Sequence, residues 1–136
     1  DMAQPDGFYG DGATGHRLAI AKLRRRAEVM RDVLYSLKPT VARVHGHCIG
    51  AGMYLVLVTS FAVAADDAVF GLPEERFGSA GTSWLYPFLA MQCGIKKANE
   101  IVMTGRRIDA SEAERLDLVN RVVPADALLV AISFRH

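Results

Sequence analysis

The stretch HGHCIGAGMYL, His45 to Leu55, crowds three glycines and two histidines between the apolar run TVARV and a long apolar segment. Three chemistries could use such residues. The first is a metal site on the histidines and Cys48. In an extended strand, however, His45 and His47 point one way and Cys48 the other. No second ligand pair follows at zinc spacing. The second is a dinucleotide turn, which needs G-x-G-x-x-G and an acidic residue about 20 positions on. Asp66 and Asp67 stand at a suitable distance, but the glycines run G-x-x-x-G-x-G. The third is a cradle of backbone amides. Glycine lets a backbone approach a ligand closely, and the first N–H groups of a helix have no partner within it. A helix starting near Gly50 would aim the amides of Ala51 and Gly52 at an oxyanion or a phosphate. From the residues alone, an amide cradle and a plain packing turn both remain open.

The elements around this turn can be read from periodicity. DMAQPDGFYGDGATG reads as loop. From His16 to Leu37, the positions Ile20, Leu23, Ala27, Met30, Leu34 and Leu37 line one face of a long helix. Lys38-Pro39 ends it, because the residue before proline is pushed out of the helical region. Its other face carries Lys22, Arg24, Arg25, Arg26 and Arg31 and reads as solvated. Thr40 to Val44 is expected as a strand, Gly52 to Ser60 as a buried helix, and Phe61 to Ala65 and Val69-Phe70 as strands about an Asp66-Asp67 turn. Trp84 to Met91 and Ile95 to Met103 read as helices broken at Gly94. Asp109-Ala-Ser-Glu112 has capping-box spacing, and LVNRVVP is a last strand before a helix from Ala125. Strands alternating with helices indicate an α/β fold.

Bulk composition narrows the function classes. A net charge of +1 over 136 residues gives no field that would favour nucleic acid. The two cysteines offer no disulfide framework, which points to a reducing, cytoplasmic setting. No apolar run is long enough to cross a membrane. A hydrophobic share of 51% suggests surface meant for another subunit or for more of the same domain. The chain opens at Asp1 and closes within a helical pattern at Phe134-Arg135-His136. Residues 1–136 are therefore expected to be part of a single, truncated domain.

Three blocks carry a resemblance. KPTVARVHGHCIGAGMYLVL, AVAADDAVFGLPEERFG and TGRRIDASEAERLDLVNRVVP, in that order and spacing from Lys38 to Pro124, resemble the crotonase superfamily, the enoyl-CoA hydratase/isomerase family. The resemblance implies a crotonase-like α/β fold, a spiral of strand-strand-helix units. It implies an enzyme acting on acyl-CoA thioesters, a homo-trimer or hexamer, and no metal or redox cofactor. The amide of Ala51 falls on the family's oxyanion-hole donor, flanked by Gly50 and Gly52 on the substrate side. The second donor of the hole would lie ahead of Asp1. Family hydratases carry two glutamates here. One matches Glu74, in Phe70-Gly-Leu-Pro-Glu74, and the other falls on Tyr54.

That departure bears on mechanism. A carboxylate with a reference pKa near 4.3 can take a proton at pH 7, whereas a phenol near 10 stays neutral. The expectation is one glutamate acid/base, Glu74, with Tyr54 positioning water or filling space. Glu75 is expected to be exposed. Trp84 and Tyr86 stand where the family has a glycine-rich stretch and are expected either to wall an acyl pocket or to pack in the core. Asp117 replaces a C-cap glycine and should cost stability, less so in the left-handed conformation. The alternatives are a non-catalytic relative that keeps only oligomerisation surfaces and, less favoured, a nucleic-acid binder working through Arg24 to Arg26.

Overall fold

The computed structural model describes residues 12–77 and 84–131. Among them, the short strands are β1 (Val41–Val44), β2 (His47–Ile49), β3 (Phe61–Ala65), β4 (Val69–Gly71), β5 (Ile108–Asp109) and β6 (Arg121–Val123). They form two sheets, β1-β3-β6 and β2-β4-β5. β1 pairs parallel with β3 from Val41 opposite Phe61, and β2 pairs parallel with β4 from His47 opposite Val69. Each strand pair therefore sends its first member to one sheet and its second to the other. The device that splits β1 from β2 is Gly46 at φ 58, a left-handed residue that breaks the extended run. β2 was not legible as a strand: three residues behind a kink give too little alternation to read. Thr40 and Ser60 fix the start of the β1–β3 ladder by donating each backbone N–H to the other's hydroxyl, at 3.1 and 3.0 Å.

The helices cover these sheets. α1 spans Gly12–Leu34, α2 Ala51–Leu57, α3 Tyr86–Cys93, α4 Ile95–Thr104 and α5 Ala110–Arg115. The units β1-β2-α2 and β3-β4-α3-α4 bear out the expected strand-strand-helix repeat. The third departs from it, because β5 pairs antiparallel with β4 and β6 returns to β3. α2 is buried as expected, through Met53, Tyr54, Val56 and Leu57. One cluster joins it to Phe70, Leu72, Leu89 and Ile101.

Several boundaries differ from the sequence reading. α1 takes in residues 12–15, expected as loop, and stops at Leu34 instead of Leu37. Ser36 causes the stop: its hydroxyl donates to the Lys38 carbonyl and accepts the Lys38 N–H, which competes with another helical turn. Leu37 is consequently fully exposed and Ile20 is exposed, while Met30 is buried and Leu34 packs against the core. The side chain of Leu23 lies outside the described residues, as do residues 1–11 of the expected opening loop. The basic side chains Lys22, Arg24, Arg25, Arg26 and Arg31 are exposed. α3 begins at Tyr86, two residues after Trp84, which places Pro87 in the first turn where its missing N–H is harmless. Gly94 breaks α3 from α4 at φ 81. After Pro124 the chain forms a short 3-10 turn, Ala125–Ala127, and residues 132–136 of the expected last helix lie outside the described residues.

The α4–α5 junction is tied by charge. Asp109 Oδ1 accepts the Glu112 N–H at 2.7 Å, the first half of the expected capping box. The Glu112 carboxylate does not close the box. Both of its oxygens accept from the Arg106 guanidinium at 2.8 Å, while Arg106 Nε lies 2.8 Å from Glu100 Oε1. Asp117 adopts φ 58, the left-handed conformation that lessens its cost at a C-cap.

Arg106 hydrogen bonds hold the Glu112 carboxyl below its ordinary range, against the opposing effect of desolvation. A depressed folded-state value means that the stabilisation is complete above the unfolded-state pKa and is lost as pH falls through the folded one. Glu112→Gln should therefore lower the unfolding free energy by about 1–2 kcal/mol at neutral pH. In urea unfolding, its deficit against the unsubstituted chain should be smaller at pH 3 than at pH 7, because protonation of the folded carboxyl withdraws the stabilisation as pH falls. A deficit of equal size at both pH values would refute the charge as its origin.

Candidate active site

The glycine turn and the segment after β4 meet. Gly50 stands at φ 57 and ψ −117, ahead of α2, in a region that glycine enters without a side-chain clash. Its N–H donates to the Gly71 carbonyl at 2.8 Å, and its own carbonyl accepts the Tyr54 N–H at 3.0 Å. This locks the end of β4 to the start of α2. A Cβ on Gly50 would come 2.9 Å from Glu74 Oε1, so the Glu74 carboxylate lies over the Gly50 α-carbon. Glu74 opens a 3-10 turn, Glu74–Phe77, directly after Pro73. The residue is partly buried and its Oε2 is shut off from solvent.

The structure thus brings two of the sequence-predicted positions together, the glycine turn and Glu74. The amide of Gly50 is taken up by Gly71, a partner that sequence reasoning missed. Gly71 sits in a family-like block, but nothing in its type shows that its carbonyl points at residue 50. The next two residues, Ala51 and Gly52, are exposed and lie in the first turn of α2, where the helix offers their amides no acceptor. Tyr54 is buried one turn further on, with 6% of its surface exposed. A phenol buried in that position has the surroundings of a core residue as much as those of a water-holding one.

The remaining expected positions have other company. Trp84 is half-exposed and packs edge-on against Phe88, with ring centroids 6.2 Å apart. The Tyr86 hydroxyl donates to Asn99 and so braces α3 against α4. Residues 78–83, which would connect Glu74 with Trp84, lie outside the described residues, as does the Glu75 side chain.

A groove of about 440 Å³ opens beside the turn, with Val41, His45, His47, Cys48, Gly52 and Leu55 among its lining. His45 and His47 are exposed and Cys48 is buried, the alternation expected of them. Burial pushes the Cys48 thiol up to about 11, so at neutral pH it is a neutral, apolar group and a poor ligand or nucleophile. Among the described residues, no three His, Cys, Asp or Glu side chains gather as a metal's ligands would. No helix among them is long and apolar enough to cross a membrane.

Residues 18–133 match the family model described as enoyl-CoA hydratase/isomerase. The chain is 42% identical over 92 residues to the mevalonyl-coenzyme A hydratase of Aspergillus fumigatus, covering 68% of this chain and 34% of that protein. It is 44% identical over 92 residues to the carnitinyl-CoA dehydratase of Citrobacter koseri, covering 68% of this chain and 35% of that one. The crystal structure of an enoyl-CoA hydratase from Bacillus anthracis superposes with a TM-score of 0.79 at 30% identity, covering 95% of this chain and 49% of that chain. The chain therefore spans about a third of the length of the curated relatives it matches, and about half of that structure.

The Gly50 contact yields a direct prediction. Gly50→Ala forces both a disfavoured backbone conformation and an overlap with the Glu74 carboxylate, and should cost about 1–3 kcal/mol. Gly52→Ala, whose Cβ would meet only Cys48 Sγ at an ordinary 3.7 Å, should cost far less. Denaturant unfolding of the two variants side by side measures the difference, and equal losses would refute the contact.

Proposed function

The chain belongs to the enoyl-CoA hydratase/isomerase family, and from that premise we propose that it carries the acid/base half of an active site for acyl-CoA thioesters. The observation that carries this reading is the Glu74 carboxylate lying against the glycine turn, one residue from the Ala51 amide. The Ala51 N–H is one donor to the thioester oxygen. Gly50 and Gly52 keep that approach free of side chains, and Trp84 and Tyr86 bound the acyl side. Residues 1–136 form part of a single crotonase-like domain, which works in the cytoplasm as a homo-trimer or hexamer. The chemistry asks for no metal or redox cofactor, since coenzyme A arrives with the substrate.

A thioester polarised at its oxygen releases an α-proton more readily, because the developing negative charge settles on that oxygen. Glu74 accepts the proton from C2 of a 3-enoyl-CoA. The electron pair of that C–H bond forms the new C2–C3 double bond through the enolate. The former C3–C4 double bond then takes the same proton back from Glu74 at C4. The product is a 2-enoyl-CoA, and Glu74 is again a carboxylate. One carboxylate suffices for this shift. Hydration needs a second group to activate water, and Tyr54 stands where the family's hydratases have a carboxylate. The Tyr54 substitution thus favours isomerisation over hydration, and it is also the feature that supports the second reading, a non-catalytic relative.

The experiment offers 3-enoyl-CoA and 2-enoyl-CoA to this chain and, in parallel, to the longest natural polypeptide that contains it. Products are followed by mass and by ultraviolet absorbance. Double-bond migration without a mass change is expected. Glu74→Gln should lower its rate by about 10²- to 10⁴-fold, and Tyr54→Phe should leave it within about threefold, as for a group outside the proton transfer. Gain of one water mass would overturn the single-base mechanism. Silence from both proteins, with their circular dichroism native, would establish the non-catalytic reading.

A further inference from the structure

Gly105 ends α4 in the left-handed conformation, at φ 56. Its amide donates to the Ile101 carbonyl at 3.1 Å, which completes the helix end. The bare face of Gly105 is turned toward the segment that carries Glu74. A Cβ there would come 3.1 Å from Pro73 Cα and 3.2 Å from Arg76 Nε. Arg76 Nη2 donates back to the Thr104 carbonyl at 3.4 Å. Arg106 continues the contact, since a Cβ on Gly71 would lie 3.3 Å from the Arg106 carbonyl. The backbone from Gly71 to Arg76 is thus pressed between two surfaces. One is the Gly50 turn, which donates to Gly71 and underlies the Glu74 carboxylate. The other is the Thr104–Arg106 turn.

The second surface is itself held. Arg106 is fixed by two hydrogen bonds to Glu112 of α5 and an ion pair with Glu100 of α4. The Thr104 hydroxyl accepts the Arg106 N–H at 3.3 Å and donates to the Glu100 carbonyl at 2.6 Å. A short turn that would otherwise follow its own preferences is braced by both flanking helices.

We propose that the Thr104–Arg106 turn is a positioning platform for Glu74. Gly105 and Arg76 set the height at which Pro73 presents the carboxylate to the glycine turn. The proposal rests on Glu74 being the acid/base group, and on geometry that any displaced carboxylate would lose. Gly105→Ala would press on Pro73 Cα, a backbone atom adjoining Glu74, so the carboxylate must move by tenths of an ångström. Displacements approaching 1 Å at a reacting group cost up to about 10²-fold in rate.

The test compares Gly105→Ala with Gly46→Ala. Both place alanine at nearly the same left-handed φ, 56 and 58, but a Cβ on Gly46 meets nothing within 4 Å. Loss of stability common to the two therefore reports backbone strain, and any excess in Gly105→Ala reports the platform. The readout is the Glu74 carboxyl-carbon NMR resonance, assigned by its absence from Glu74→Gln, together with kcat and KM for double-bond migration. Gly105→Ala should move the Glu74 resonance and lower kcat by about tenfold or more with KM within about twofold. Gly46→Ala should leave the resonance in place. Arg76→Ala should shift the resonance the same way, and Arg76→Lys, which keeps a donor for Thr104, should restore most of it. A Glu74 resonance that responds alike to Gly105→Ala and Gly46→Ala overturns the platform. Migration that survives Glu74→Gln overturns instead the acid/base reading on which it rests. The resonance reports on the platform in either case.

Discussion

The hydrogen bond from the Gly50 amide to the Gly71 carbonyl is the constraint on which the site depends. It joins the entrance of α2 to the exit of β4, so two segments far apart in the chain become one piece of backbone. The geometry that makes it possible belongs to glycine alone. At φ 57 and ψ −117, a side chain on Gly50 would meet its own backbone and also the Glu74 carboxylate. The residue that opens the amide turn is therefore also the residue that makes room for the carboxylate. Glycine turn and carboxylate meet because a single α-carbon carries nothing.

The two-sheet arrangement makes this meeting a consequence of topology. Gly46 sends β2 away from β1, and the Asp66-Asp67 turn sends β4 away from β3. The paired strands β2 and β4 then end side by side, at Ile49 opposite Gly71. The segments leaving their C-terminal ends must therefore lie beside each other. β2 leads into the glycine turn, and β4 leads into the Pro73-Glu74 segment. Parallel pairing gives this result without further design, since strands running the same way deliver their C-terminal ends to the same edge. Antiparallel pairing of the same strands would have placed the two segments at opposite edges.

Much of this was legible in the residues and some was not, for identifiable reasons. Strands β1, β3, β4 and β6 announced themselves by β-branched and apolar runs, α4 by its apolar stripe, and the α3–α4 break by Gly94. The lower end of α1 was misread because periodicity continues through Leu37, whereas the chain obeys the Ser36 hydroxyl, a local hydrogen bond that carries no period. β2 was lost because its only signal, the alternation of an exposed His47 and a buried Cys48, lasts three residues. At the site, glycine and glutamate types were visible, and the family-like blocks marked Ala51 and Glu74. The Gly50–Gly71 bond and the Gly105 contact with Pro73 were not, because each is backbone meeting backbone across long separations. Residue type shows only that such a contact is permitted.

The substitution at position 54 bears on chemistry through burial. A carboxylate in a site with 6% exposure needs charged or strongly donating neighbours to remain ionised. A phenol needs only one hydrogen-bond partner and contributes its ring to the core. The buried neighbours of Tyr54 on α2, Met53, Val56 and Leu57, are apolar. A glutamate at 54 would place a second carboxyl group in an apolar wall, where desolvation favours its neutral form. Tyr54→Glu alone would therefore supply a second carboxyl group but not a second charge. On the proposed reading the acid/base work therefore falls to Glu74, and the Thr104–Arg106 turn proposed to position it matters the more.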